Sequence, residues 1–159
     1  MRERGAGWIL NISSATGELP RQHPKHGSSG PLLYAATKAA LERATAALAE
    51  ELHPANIAVN SLAPQAGVLT AATRQYYELP EESIEPVETM ADAAFVLCSG
   101  DPRELTGRVV RSLEFLVERG QPVHALDGRS LLDGWQPDQI PASRIDRTGE
   151  FDEKSVRAD

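Results

Sequence analysis

The sequence predicts an α/β protein in which about three parallel strands are joined by crossover helices. Two short apolar runs, residues 8–12 and 57–63, have the length and the boundaries of buried strands. Between them, residues 32–53 are strongly helix-forming, and Pro54 marks the end of this helix. Strands that alternate with helices are typical of right-handed crossovers and a parallel sheet.

The second half of the chain continues this alternation. Residues 90–98 are predicted as a helix, and residues 108–113 as a third strand that leads into a short helical piece. The apolar face of the 90–98 helix is predicted to hold Ala91, Ala94, Phe95, Val96 and Leu97. Cys98, the single cysteine, is predicted to be a small buried hydrophobic residue at its end.

Composition sets the broad class of the protein. The chain has 159 residues, of which 41% are hydrophobic and 25% charged, as expected of a globular domain. We expect one partial domain over residues 1–128 and a polar tail over residues 129–159. A net charge of -7 argues against nucleic-acid binding, which calls for clustered lysine and arginine. No apolar run is long enough to span a membrane and no signal peptide precedes the first strand, so a cytoplasmic location is expected.

Tyr34 and Lys38 are the residues that most clearly suggest a catalytic site. They are four positions apart in a predicted helix, so the phenol and the ammonium lie on one face. A free phenol, with a pKa of about 10, is a poor acid or base at neutral pH, whereas a nearby cation favours the phenolate. A serine after the preceding strand can hold a carbonyl or alcohol oxygen while the tyrosine moves a proton. An isolated match of this kind also fits an amphipathic helix with a packed tyrosine and a solvated lysine.

Four stretches in order resemble the C-terminal half of the short-chain dehydrogenase/reductase family, over about residues 5 to 115. They are Gly7-Trp8-Ile9-Leu10-Asn11-Ile12-Ser13-Ser14, Tyr34-Ala35-Ala36-Thr37-Lys38, Ile57-Ala58-Val59-Asn60-Ser61-Leu62-Ala63-Pro64 and Leu105-Thr106-Gly107-Arg108-Val109-Val110. The resemblance implies the C-terminal portion of a Rossmann-like, doubly wound parallel sheet. It also implies hydride transfer between NAD or NADP and a small carbonyl or alcohol substrate, and a homo-oligomer if the protein is full length.

The same resemblance implies roles for individual residues. Tyr34 is the catalytic acid/base, Lys38 promotes its phenolate and bonds the nicotinamide ribose, and Ser14 positions the reacting oxygen. The cofactor contacts are Tyr34, Lys38, Pro64, Val68 and Thr70, and the substrate contacts are Ser14, Tyr76 and Tyr77. Gln65 stands where the family has glycine after the proline, so Val68 and Thr70 match only after a shift of one residue.

The family's cofactor fingerprint is not found in this sequence. No Gly-x-x-x-Gly-x-Gly occurs, although such a turn places helix N-terminal amides against the pyrophosphate. The sequence therefore suggests a fragment that retains the proton-transfer half, and we expect weak activity or none from it alone. It leaves the choice between NAD and NADP open.

Other functions remain as alternatives or are excluded. A non-catalytic truncated remnant that associates with a full-length relative is the main alternative, because the long helix would have an uncovered apolar face. A sugar epimerase or dehydratase of the longer branch shares Tyr-x-x-x-Lys but lacks the Asn60-to-Pro64 pattern. A serine hydrolase is excluded, since no Gly-x-Ser-x-Gly occurs. His23 and His26 lack further ligands at a suitable spacing, so no metal site is predicted.

Overall fold

The computed structural model describes residues 1–18, 32–68, 70–71 and 84–135 of the chain. Its main sheet consists of β1 (Gly7–Ile12), β2 (Ile57–Ala63) and β5 (Val109–Arg111), in the order β1-β2-β5. Both strand pairs are parallel, with Ile12 opposite Leu62 and Ala63 opposite Arg111. The predicted α/β class with a Rossmann-like parallel sheet is confirmed, and all three strands end at the same edge.

In the described part of the chain, three α-helices accompany the sheet. They are α1 (Leu32–Leu52), which matches its predicted range closely, α2 (Val87–Leu97) and α3 (Ser112–Arg119). A second small sheet pairs β3 (Gly67–Val68) with β4 (Ile84–Glu85) inside the long connection after β2. The third main strand is shorter than predicted, because the chain turns directly from Arg111 into α3.

Among the described residues, alternate positions of β2 contribute to two hydrophobic cores, one on each face of the sheet. Ile57 and Val59 pack with Ala49 and Leu52 of α1. On the other face, Leu62 packs under α2 and α3, in a cluster with Ala93, Leu97, Val110, Phe115, Leu116 and Val123. Every residue of β2 is buried, as expected of a central strand covered on both faces.

The predicted orientation of α2 is wrong in part. The helix begins at Val87, after Pro86, three residues earlier than predicted. Ala91 and Phe95, which were expected on the apolar face, are exposed, and Phe95 is 68% exposed. The buried face instead carries Thr89 and Asp92 together with Ala93 and Leu97. Because two residues of the buried face are polar, the periodicity of hydrophobic residues does not identify this face.

Cys98 also differs from its prediction. It is exposed and is the first residue beyond α2, at the C-terminal cap of the helix. Partial burial still raises the pKa of its thiol.

The turn that leads into β5 is fixed by polar side chains. Asn60, buried in β2, donates to Leu105 O at 2.9 Å and accepts from the Arg108 N–H at 3.0 Å. Thr106 Oγ1 accepts from the Val59 N–H at 3.0 Å, and Gly107 adopts a left-handed φ of 73°. These contacts give Thr106-Gly107 the role of a turn into the last strand, and they hold β5 in register beside β2.

The segment after α3 folds back on the second core. Leu132 donates from its N–H to Val123 O at 2.9 Å and packs against that core. The buried Asp92 of α2 accepts from the His124 N–H, which ties this turn to the helix. The division at residue 128 stays a prediction, and residues 136–159 lie outside the described part of the chain. In the described ranges, no helix is long and apolar enough to cross a membrane.

Candidate active site

Tyr34 and Lys38 lie at the start of α1, beside the end of β1. The Lys38 ammonium donates to the carbonyl oxygen of Ile12 at 2.9 Å, and its Nζ lies 5.5 Å from the centroid of the Tyr34 ring. Tyr34 is 46% exposed, so its ring is reachable from solvent. Lys38 is therefore anchored by one hydrogen bond to the last residue of a strand, with its charge close to the tyrosine.

Ser14 caps the short 3₁₀ turn Ala15–Gly17 that follows β1. Its Oγ accepts from the Thr16 N–H at 3.3 Å and from Thr16 Oγ1 at 3.1 Å. A serine hydroxyl has two acceptor lone pairs and one proton to donate. Both of these bonds use its oxygen as acceptor, so they leave the Ser14 proton for another oxygen.

Gly17 allows this turn to lie directly against α1. A Cβ at this position would lie 3.1 Å from Ala39 N and 3.2 Å from the Lys38 Cβ. Contacts this short are tighter than most, so a side chain at this position would require the turn or α1 to shift by a few tenths of an ångström. The absence of a side chain places the Ser14 turn against the helix at Lys38 itself.

The connection after β2 forms another part of this edge. Pro64 and Val68 are half-buried, and Thr70 is exposed. The Gln65 backbone N–H in this connection donates to Ser112 Oγ at 3.1 Å, so the connection is tied to the first residue of α3. The Gln65 Oε1 atom is buried and accepts no hydrogen bond from the described residues.

Glu85 holds the same connection through a buried carboxylate. One oxygen accepts from the Ala66 N–H at 3.2 Å, and the other accepts from Thr89 Oγ1 at 2.9 Å and Ser112 Oγ at 2.7 Å. Burial raises the pKa of Glu85, and these hydrogen bonds oppose that rise. Glu85 thus joins the residues after β2 to the residue that follows β5.

A group of charged residues that the sequence analysis missed lies between α1 and the sheet. Glu42 Oε1 accepts from Ser13 Oγ at 2.7 Å and from Arg111 Nη1 at 3.2 Å. Arg111 Nη2 lies 2.6 Å from Glu18 Oε1, close enough for an ion pair although the angle is not that of a hydrogen bond. The Arg111 side chain is only 3% exposed. Two features of the sequence could have indicated this group. Arg111 is a charged residue within a predicted strand, and Glu42 is a charged residue four positions after Lys38 on the same helix.

The structure brings together only part of the predicted site. Lys38, Tyr34 and the Ser14 turn lie at the end of β1, and Pro64 and Val68 follow the end of β2. The predicted substrate contacts Tyr76 and Tyr77 lie outside the described residues. Among the described residues, no group of three or more His, Cys, Asp or Glu side chains is arranged to hold a metal ion.

Similar proteins support one family. The family model for short chain dehydrogenases matches residues 1–80, half of the 159. The 3-oxoacyl-[acyl-carrier-protein] reductase FabG of Aquifex aeolicus is 34% identical over 112 residues, which are 65% of this chain and 42% of that protein. The chain spans about two fifths of the length of the curated relatives it matches.

Solved structures give the same result. A 3-oxoacyl-[acyl-carrier protein] reductase from Brucella melitensis with bound NAD is 32% identical, with a TM-score of 0.54 over 70% of this chain and 41% of that one. A gluconate 5-dehydrogenase from Burkholderia cenocepacia, in complex with NADP and tartrate, is 25% identical, with a TM-score of 0.55 over 69% of this chain and 44% of that one. The order of the strands, the sequence match and these likenesses agree: the chain belongs to the short-chain dehydrogenase family.

Proposed function

We propose that this chain carries the proton-transfer site of an NAD(P)-dependent oxidoreductase that interconverts a carbonyl and an alcohol. The proposal depends above all on the placement of Lys38, whose ammonium is anchored to Ile12 O and lies 5.5 Å from the Tyr34 ring centroid. In open α/β sheets, ligands bind outside the carboxyl ends of the strands. Tyr34, Lys38 and Ser14 all lie at that edge.

The described residues fit the nicotinamide end of a dinucleotide. Among the described residues Lys38 makes one hydrogen bond, through an ammonium that has three donors, so two donors can serve ribose hydroxyls. The buried Gln65 Oε1 is an acceptor without a partner among the described residues, and it can accept from an amide N–H. Tyr34, Lys38, Pro64, Val68 and Thr70 are the residues we assign to this end. When bound, the nicotinamide gives or takes the hydride.

The protein's own residues would handle the proton. Ser14 can donate its hydroxyl proton to the substrate oxygen, because its two observed hydrogen bonds use only its acceptor lone pairs. Tyr34 would give the proton to the developing alkoxide during reduction, and would take it from the alcohol during oxidation. The Lys38 ammonium, 5.5 Å from the centroid of the Tyr34 ring, places a positive charge beside the group that gives and takes the proton.

The names of similar proteins support the class of substrate and cofactor. Two of them are a 3-oxoacyl-[acyl-carrier-protein] reductase with NAD bound and a gluconate 5-dehydrogenase in complex with NADP. We therefore propose NAD or NADP as the cofactor and a small carbonyl or alcohol compound as the substrate, with Tyr76 and Tyr77 as further candidate contacts.

The variant Tyr34→Phe tests the acid/base assignment. It removes only the phenolic hydroxyl, so we expect turnover of a ketone panel with NADH or NADPH to fall about 10²- to 10⁴-fold. The circular dichroism spectrum should stay unchanged, which provides the internal control for folding. Unchanged turnover in this variant would refute the role of Tyr34.

The second candidate function is that of a non-catalytic chain that associates with a longer relative. It is favoured by the start of α1, where Leu32 is 86% exposed and Leu33 is 77% exposed. Exposed apolar residues next to each other are typical of surfaces that bind another protein. A chain that shows no turnover and no cofactor binding, yet self-associates in sedimentation experiments, would favour this function over the first.

A further inference from the structure

Arg111 lies where two carboxylates and the end of β1 meet. Its guanidinium lies 3.2 Å from Glu42 Oε1 through Nη1 and 2.6 Å from Glu18 Oε1 through Nη2. The side chains of Arg111 and Glu42 are 3% and 13% exposed, so this contact is shielded from water. Ser13 Oγ donates to the same Glu42 oxygen at 2.7 Å. We call Ser13, Glu18, Glu42 and Arg111 the Arg111 cluster.

Glu42 has a second possible partner on its own helix. It follows Lys38 by four residues, and oppositely charged side chains at this spacing lie side by side and commonly pair. The structure does not show this pair: Lys38 donates to Ile12 O, and Glu42 accepts from Ser13 and Arg111. Within the described ranges Lys38 makes no ion pair, although a carboxylate is only one helical turn away.

We propose that Arg111 is a positioning residue that holds Glu42 in the Arg111 cluster and so keeps the Lys38 ammonium without a carboxylate partner. This inference rests on the proposed function, in which the Lys38 charge acts on Tyr34 and on the ribose. A carboxylate in contact with Lys38 would offset that charge at the phenol and would occupy donors needed by the ribose. The planar guanidinium suits the task, because its fork of donors can face two carboxylates at once.

The cluster has a second consequence for the site. Ser13 and Glu18 lie on either side of the turn that Ser14 caps, while Glu42 is on the helix that carries Tyr34 and Lys38. Arg111, the last residue of β5, contacts Glu18 and Glu42 directly, and Glu42 contacts Ser13. One buried side chain therefore links the two elements that carry the proposed proton-transfer residues.

The reactivity of the Lys38 amine tests this inference without any cofactor. The chain has three lysines, Lys25, Lys38 and Lys154, so acetylation by limiting acetic anhydride can be followed at each by mass spectrometry. Pairing with a carboxylate holds an amine in its ammonium form and slows acetylation. The rates are compared in the wild type, Arg111→Met, Glu42→Gln and the double variant, with Lys25 and Lys154 as internal references.

We expect Arg111→Met to slow acetylation of Lys38 by about twofold or more, since the freed Glu42 then pairs with it. Glu42→Gln alone should leave the Lys38 rate at its wild-type value, and Glu42→Gln in the Arg111→Met background should restore it. If Arg111 had only a structural role, replacing Glu42 as well would not restore the acetylation rate of Lys38. Arg108→Met, which removes the exposed ion pair with Glu118, is the matched control and should have no effect on Lys38.

Two results would overturn the inference. One is an unchanged Lys38 rate in a folded Arg111→Met variant. The other is a faster Lys38 rate in Glu42→Gln, which would mean that Glu42 already pairs with Lys38. This variant retains Arg111, so it can refute the inference even if Arg111→Met fails to fold. Because no cofactor takes part, failure here is distinct from failure of the proposed function, which cofactor binding and turnover measure.

Discussion

Glu85 and Arg111 are charged residues that are 1% and 2% exposed, and each belongs to a different part of the proposed site. Arg111 faces two carboxylates between α1 and the sheet, whereas Glu85 is surrounded by hydroxyls and a backbone amide under the connection after β2. The two residues therefore behave differently. Arg111 has its charge balanced by ion pairs, while Glu85 has hydrogen bonds but no cation among the described residues.

The environment of Glu85 predicts a pH dependence of stability. Burial raises the pKa of Glu85 above its ordinary value of 4.5, so the folded state holds this proton more tightly than the unfolded chain. The resulting stabilisation is complete below the unfolded pKa and is lost as pH rises through the folded pKa. Glu85→Gln cannot ionise, and it keeps an acceptor oxygen for Ser112. The free energy of unfolding of the wild type, relative to this variant, should therefore decrease as the pH rises above that ordinary value.

Urea unfolding at several pH values measures this difference. Because both proteins share every other titrating group, those contributions cancel in the comparison. A difference that stays constant, or that increases with pH, would contradict the prediction and would mean that the hydrogen bonds to Glu85 outweigh its burial.

At the residue scale, contacts between residues that are close in sequence could be predicted, whereas contacts between distant residues could not. Tyr34 and Lys38 share a helix, so their proximity follows from local spacing alone. Arg111 and Glu42 are 69 residues apart, and their contact depends on the order of the strands and the placement of α1. No local pattern contains that information, and the same holds for the contact of Glu85 with Ser112.

At the scale of elements, α2 and α3 show how a helix face is chosen by tertiary contacts. In α3, Leu116 is fully buried against the second core, whereas its neighbour Val117 is 39% exposed. In α2, Asp92 is on the buried side because the turn at His124 supplies a donor to its carboxylate. Hydrophobic periodicity alone misplaced this face, since it assigned the apolar Ala91 and Phe95 to the core.

Neighbouring residues in α3 provide a matched test of this packing. We expect Leu116→Ala to lower the free energy of unfolding by about 2 to 5 kcal/mol, because it leaves a cavity in a close-packed core. Val117→Ala, on the exposed side of the same helix, should cost less than about 1 kcal/mol. Chemical denaturation of both variants gives the comparison. Similar losses for the two variants would contradict the described orientation of α3.

At the scale of the whole molecule, strand ends rather than any single element define the site. Because β1, β2 and β5 are parallel, the residues that follow them lie at one edge: Ser13 and Ser14 after β1, Pro64 after β2 and Ser112 after β5. The strand segments that determine this arrangement were predicted well, since apolar runs bounded by Gly, Ser and Pro are strong local signals. The connections between them were predicted poorly, because their contacts are long-range.

The central claim is that Lys38, placed at the end of β1, forms part of a nicotinamide site in this chain. The measurement that tests it most directly is a fluorescence titration of the purified chain with NADH and with NADPH, in the wild type, in Lys38→Met and in Lys154→Met as the matched control. We predict weak but saturable binding to the wild type and to Lys154→Met, with a loss of about tenfold or more in Lys38→Met, since donors to the ribose are removed. No binding to a folded wild-type chain, or equal affinity in Lys38→Met, would contradict the account.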